Sequence, residues 1–167
     1  MRLDLRSIIH VPGASLPFQF ELDLSQLDFY GEKPFAHPVR VSGTVRNMAD
    51  ALLLEGTAET TLELVCDRCL KPFSQALSLP VSTLLAEELE DEENDEIVLL
   101  ENGHADLEEL FTTALVLSMD AKHVCSADCK GLCPTCGADL NNGPCNCGKE
   151  IDPRLAVLAQ LLDKENE

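Results

Sequence analysis

Alternation of apolar and polar positions dominates the first half of the chain. Phe18, Phe20, Leu22 and Leu24 alternate with Gln19, Glu21 and Asp23, the period of a strand that buries one face. Leu3 and Leu5 alternate with charged residues between Arg2 and Arg6, which predicts a short strand. Val39, Val41, Gly43 and Val45 alternate with Arg40, Ser42, Thr44 and Arg46 after a turn-rich loop over residues 30–38. Residues 51–65 predict a further strand, with Leu62 and Leu64 on one face, running into Cys66. Phe73, Gln75, Leu77 and Leu79 resume the alternation after Cys69. An antiparallel sheet with one solvated face fits this pattern, and its defining hairpin turns at the cysteines.

The period changes in the second half. Ile97 to Leu100 predicts an edge strand. Asp106 with Glu109 three residues on has the form of a capping box, and Leu107, Leu110, Phe111, Ala114 and Leu115 follow at helical spacing. This helix is expected to cover the apolar face of the sheet. Asp152-Pro153 predicts the start of a second helix, with Leu155, Leu158, Ala159 and Leu162 as its stripe. The expected fold is α+β: an antiparallel sheet with a covering helix, then a cysteine-rich segment and a terminal helix. Residues 1–86 form the β part, 87–96 an acidic linker, and 97–167 the remainder, packed with the β part as one unit.

Charge sharpens this division. The net charge is -18, and it is uneven. Residues 86–120 carry thirteen acids and no base, and residues 87–96 alone hold eight acids. Such a field repels nucleic acid at long range and attracts basic proteins. With no Trp and one Tyr, base-stacking platforms are scarce. No apolar run approaches a membrane span and the N-terminus lacks a leader-like core, so a cytoplasmic location and no membrane partner are expected. The acidic run reads equally as a solubilising tract or as a site for a basic partner.

The eight cysteines fall in pairs. In a reducing compartment, paired cysteines point to metal before disulfides. Cys133-Pro-Thr-Cys136-Gly has the form of a zinc knuckle: Pro134 fixes the entry, Gly137 can adopt the positive φ that follows, and turn amides can face the sulfurs. With Cys145 and Cys147 it makes a closed four-thiolate site, structural rather than catalytic. Cys66, Cys69, Cys125 and Cys129 would make a second site that staples the hairpin to the C-terminal part across a long loop. Other pairings of the four cysteine pairs stay open, and His123 is an alternative ligand beside Cys125. Two structural zinc ions are expected. A redox Cys-x-x-Cys would prefer a helix N-terminus in a βαβ setting, and an iron–sulfur cluster has only the ligand type in its favour. No nucleophilic triad and no phosphate-binding glycine loop occurs, so the chain does not read as an enzyme.

The run Cys66-Asp-Arg-Cys69-Leu, the spacing CxxxCKGLCPxCGADLNxxxCxC over 125–147, and DPRLAVL at 152–158 together resemble the YceD family. The resemblance implies a bacterial factor in large ribosomal subunit biogenesis and ribosomal RNA accumulation, with no catalytic residues. It also implies a nearby partner type, since the family's genes typically lie beside one for a small basic protein of that subunit. Charge supplies the means: Glu87, Glu88, Glu90, Asp91, Glu92 and Glu93 are the candidate contacts to a basic ribosomal protein or pre-ribosomal particle, with ribosomal RNA involved indirectly. The competing expectation is a direct RNA-binding module that uses Arg40, Arg46, Arg68 and Lys71 as a basic patch.

Overall fold

The computed structural model describes residues 1–48, 51–87 and 97–147. Four long strands form an antiparallel meander: β2 (Ser15–Leu22), β3 (Val39–Asn47), β4 (Leu52–Val65) and β5 (Pro72–Ala86), after a short β1 (Arg2–Asp4). Each alternates as its sequence does, so Phe18 and Leu22, Val39, Val41 and Val45, and Leu52, Leu54, Ala58, Leu62 and Leu64 are buried on one face. The β4–β5 ladder runs in unbroken register from Leu52 opposite Leu85 to Val65 opposite Pro72, which places Cys66–Lys71 in the connecting turn.

Two features of the sheet depart from the expected pattern. The first strand is shorter than Arg2–Arg6, because Leu5 turns inward and its carbonyl accepts from the Ile8 and Ile9 amides. The fifth strand of the sheet, β6 (Ile97–Leu99), lies at the predicted edge but runs parallel to β5, pairing Leu84 with Ile97. The sheet is therefore mixed rather than purely antiparallel. The chain then forms β7 (His104–Asp106), antiparallel to β1 in a two-stranded sheet of its own.

The single helix among the described residues, α1 (Leu107–Ser118), begins at its predicted cap: the Asp106 carboxylate accepts from the Glu108 and Glu109 amides at 3.1 and 3.3 Å. Leu107, Phe111 and Leu115 are fully buried in the same core cluster as the sheet residues. The Phe111 ring meets Phe18 and Phe20 edge-on at 6.1 and 6.2 Å. Gly43 and Gly56, paired across β3 and β4, make the dent these rings occupy. A Cβ at Gly43 would lie 2.3 Å from the Glu55 carbonyl oxygen, and one at Gly56 2.9 Å from Phe111 Cζ. The helix spans only part of the apolar face, since Leu77, Leu79 and Val81 of β5 remain half-buried. The second predicted helix, from Asp152, lies outside the described residues, as do Glu88, Glu90, Asp91, Glu92 and Glu93 of the acidic run.

Candidate metal centres

Both Cys-x-x-Cys turns close in the same way. In the first, the Leu70 amide donates to the Cys66 carbonyl at 2.8 Å and the Cys66 amide to that of Lys71 at 2.9 Å. In the second, Gly137 donates to Cys133 at 2.9 Å and Cys133 to Ala138 at 2.8 Å. The residue after the second cysteine takes left-handed φ in each, +70° at Gly137 but +58° at Leu70. A leucine there is strained, and the surrounding hydrogen bonds hold it in place.

These turns present sulfurs to two separate partners. Cys66, Cys69, Cys125 and Cys129 form one group, and Cys133, Cys136, Cys145 and Cys147 another, each with all four Sγ atoms within 4.8 Å of one another. Three members of the first group are buried, at the end of the β4–β5 hairpin. His123 belongs to neither group. Its backbone instead pairs with Asp67: the Asp67 amide donates to the His123 carbonyl at 2.9 Å, and the His123 amide to Asp67 Oδ2 at 2.6 Å. That clasp carries the chain from α1 to Cys125.

Sulfur spacing tests whether a metal fits. Four thiolates at about 2.3 Å from a tetrahedral ion stand about 3.8 Å apart. In the first group Cys66 and Cys129 are 3.9 Å apart and Cys69 and Cys125 3.7 Å. The arrangement suits a single tetrahedral ion, whereas a multi-iron cluster would hold the cysteines further apart.

Proton affinities follow from the same geometry. Amide donation from Cys125, then from Cys69 and Arg68, brings the Cys66 thiol down to about 6. Sulfur neighbours Cys66 and Cys69 push Cys125 up to about 12. In the second group the Cys136 and Thr135 amides bring Cys133 down to about 6, while the Cys136 sulfur and burial push Cys147 up to about 12. In the first group the Cys66 sulfur thus ionises readily and opposes ionisation of Cys125, and in the second group neighbouring sulfurs oppose ionisation of Cys147. A central cation would relieve that repulsion and favour four thiolates.

The four candidate RNA contacts are all exposed, but they do not stand alike. The Arg68 guanidinium donates to the carbonyls of Cys129 (2.8 Å) and Ala127 (3.3 Å), and Lys71 Nζ pairs with Asp139 Oδ2 at 2.6 Å. Arg40 and Arg46 lie on β3, with Arg40 flanked in register by Glu21 and Glu59. Of the acids, Glu87 is exposed at the end of β5, while Glu101 and Asp106 are met by Arg2 at 3.2 and 3.7 Å. Sequence reasoning had no signal for the structural roles of Arg68 and Lys71, nor for Asp67, Asp139 and Asn141. Each acts through a partner distant in sequence or through a turn that only the fold defines.

A family model described as large ribosomal RNA subunit accumulation protein YceD matches residues 54–162, a span that runs from β4 through both cysteine groups. The chain belongs to the YceD family. An uncharacterized protein of Mycobacterium tuberculosis is 32% identical over 127 residues, covering 74% of this chain and 61% of the relative. Large ribosomal RNA subunit accumulation protein YCED homolog 1, chloroplastic, of Zea mays is 31% identical over 153 residues, covering 72% of this chain and 52% of the relative. Its Arabidopsis thaliana counterpart is 29% identical over 147 residues, covering 70% and 46%. The chain therefore spans about half to three-fifths of the length of these YceD-family relatives. No solved structure matches it. No helix among the described residues is long and apolar enough to cross a membrane.

Proposed function

We propose that this protein is a zinc-stabilised, non-catalytic factor in large ribosomal subunit biogenesis, which holds a basic ribosomal protein through its acidic 86–120 segment. The family description supplies the process, and the charge distribution carries the mechanism: thirteen acids and no base in that segment. Its contacts are steered electrostatically and weaken with salt. Arg2 meets Glu101 and Asp106, and residues 87–96 hold the densest run of acids, eight in ten positions; we assign the partner contact to Glu87, Glu88, Glu90, Asp91, Glu92 and Glu93.

Zinc is the metal this reading assigns to both groups, Cys66, Cys69, Cys125 and Cys129, and Cys133, Cys136, Cys145 and Cys147. An all-sulfur tetrahedron without an open position suits structural zinc. Direct RNA binding draws less support, since Arg68 and Lys71 are engaged by the protein's own carbonyls and by Asp139.

The test is a tagged pull-down from bacterial lysate with and without ribonuclease, read by mass spectrometry. A basic large-subunit protein that stays bound after ribonuclease, and is lost when the six acids become Gln or Asn, is the expected outcome. Release of every ribosomal protein by ribonuclease would make RNA the tether and overturn the holder mechanism.

A further inference from the structure

The second cysteine turn is docked on the first by contacts that neither needs for its own sulfurs. The docked element is the turn-containing hairpin closed by the Leu132–Asp139 bridge and by the Leu140 amide donating to the Gly131 carbonyl at 2.9 Å. From it, the Leu132 amide donates to the Arg68 carbonyl at 3.0 Å, and Asp139 pairs with Lys71 at 2.6 Å. Arg68 and Lys71 both belong to the first turn. Gly131, at φ +74°, lets the two backbones touch: a Cβ there would sit 2.8 Å from the Arg68 carbonyl oxygen. Asn141 completes the junction. Its Nδ2 lies 3.5 Å from Cys129 Sγ, within donating distance of a sulfur of the first group, although Asn141 stands in sequence between Cys136 and Cys145 of the second. Asn141 is itself held in place, because its Oδ1 accepts from the Lys130 amide at 2.8 Å and its Nδ2 also donates to Asp139 Oδ1 at 2.8 Å.

We propose that the two cysteine groups form one coupled metal-binding unit, in which Asn141, carried by the second group's hairpin, orients Cys129 of the first, so that filling either site tightens the other. The inference rests on the zinc reading above. An N–H donor to a thiolate disperses its charge and fixes its direction, and partners of this kind change metal affinity about 10- to 100-fold. Asn141 reaches Cys129 only while its hairpin is ordered, and metal at the second group orders it. The coupling is reciprocal by linkage, so a first metal at either group benefits the second. Asn141 is a positioning residue.

The experiment uses the full chain loaded with zinc, titrated with a chromophoric zinc chelator, and in parallel the cobalt(II) form read by its thiolate-to-cobalt absorption. Wild type is compared with Asn141→Ala, which keeps all eight cysteines, and with Cys133→Ser combined with Cys136→Ser. Wild type is expected to hold two zinc ions and release them together. Asn141→Ala is expected to hold two, with the first site about tenfold weaker and its cobalt band shifted. The double serine variant is expected to hold one, weakened to a like extent, and adding Asn141→Ala to it should change nothing further. A wild type that holds two zinc ions, with a first-site affinity equal in all variants, would overturn the coupling and leave the zinc reading standing. A wild-type chain that retains no zinc would overturn both.

Discussion

Loop length predicts which of the two cysteine groups, each filled with the proposed zinc, matters more to stability. The first closes the chain between Cys66 and Cys129, 63 residues apart. The second spans 14, from 133 to 147. Treated as cross-links on the unfolded chain, closures of these lengths contribute about 4 and about 3 kcal/mol. The difference, about 1.3 kcal/mol, depends only on the ratio of loop lengths. The perturbation is a pair of matched variants, Cys66→Ser with Cys69→Ser and Cys136→Ser with Cys147→Ser. Burial moves the comparison in the same direction, because Cys66 and Cys69 are buried whereas Cys136 is exposed and Cys147 half-buried. Coupling between the groups cancels, since each variant forfeits it equally. The assay is urea denaturation at a fixed free zinc concentration, followed by far-ultraviolet circular dichroism. The first variant should lose at least about 1.3 kcal/mol more than the second. Equal losses, or a larger loss from the second, would refute the view that the first group staples the hairpin to the chain beyond α1.

Two further outcomes follow from the packing and from the junction. Phe111→Ala removes a fully buried ring wedged between Phe18 and Phe20 and should cost about 3–5 kcal/mol by urea midpoint; a cost below about 1 kcal/mol would mean α1 is held elsewhere. The Lys71–Asp139 pair lowers the Asp139 pKa and raises that of Lys71, in each case first through their mutual hydrogen bond. The carboxylate's contribution is complete above about pH 4 and is lost as pH falls through its lowered folded value, whereas the ammonium's is complete below about pH 10 and is lost as pH rises through its raised one. A double-mutant cycle of Lys71→Met and Asp139→Asn should therefore give a coupling that is flat from about pH 6 to about pH 9, and a steep change inside that window would contradict the assignment.

Strands and turns were legible because their signals are local. Period-two alternation at 18–24, 39–46 and 73–79 reports burial of one face wherever the partner strand lies. Asp106 caps its helix through amides two and three residues away. Cys66-x-x-Cys69 and Cys133-x-x-Cys136 each close through bonds within six residues. Those features the chain determines by itself.

Tertiary structure alone decided the rest. Spacing left the pairing of cysteine pairs open, because the sulfurs that meet are up to 63 residues apart. The direction of β6 depends on how the chain returns after Ala86, which periodicity does not encode. Arg68 and Lys71 read as free cations until the fold brings the Cys129 carbonyl to the one and Asp139 of the second hairpin to the other. Gly43 takes its place in the alternation of its strand with no local sign of a further role, yet Gly43 and Gly56 are the floor beneath Phe18 and Phe111. In each case the energy lies in a contact between segments distant in sequence, so a local pattern marks the groups available and only the fold selects their partners.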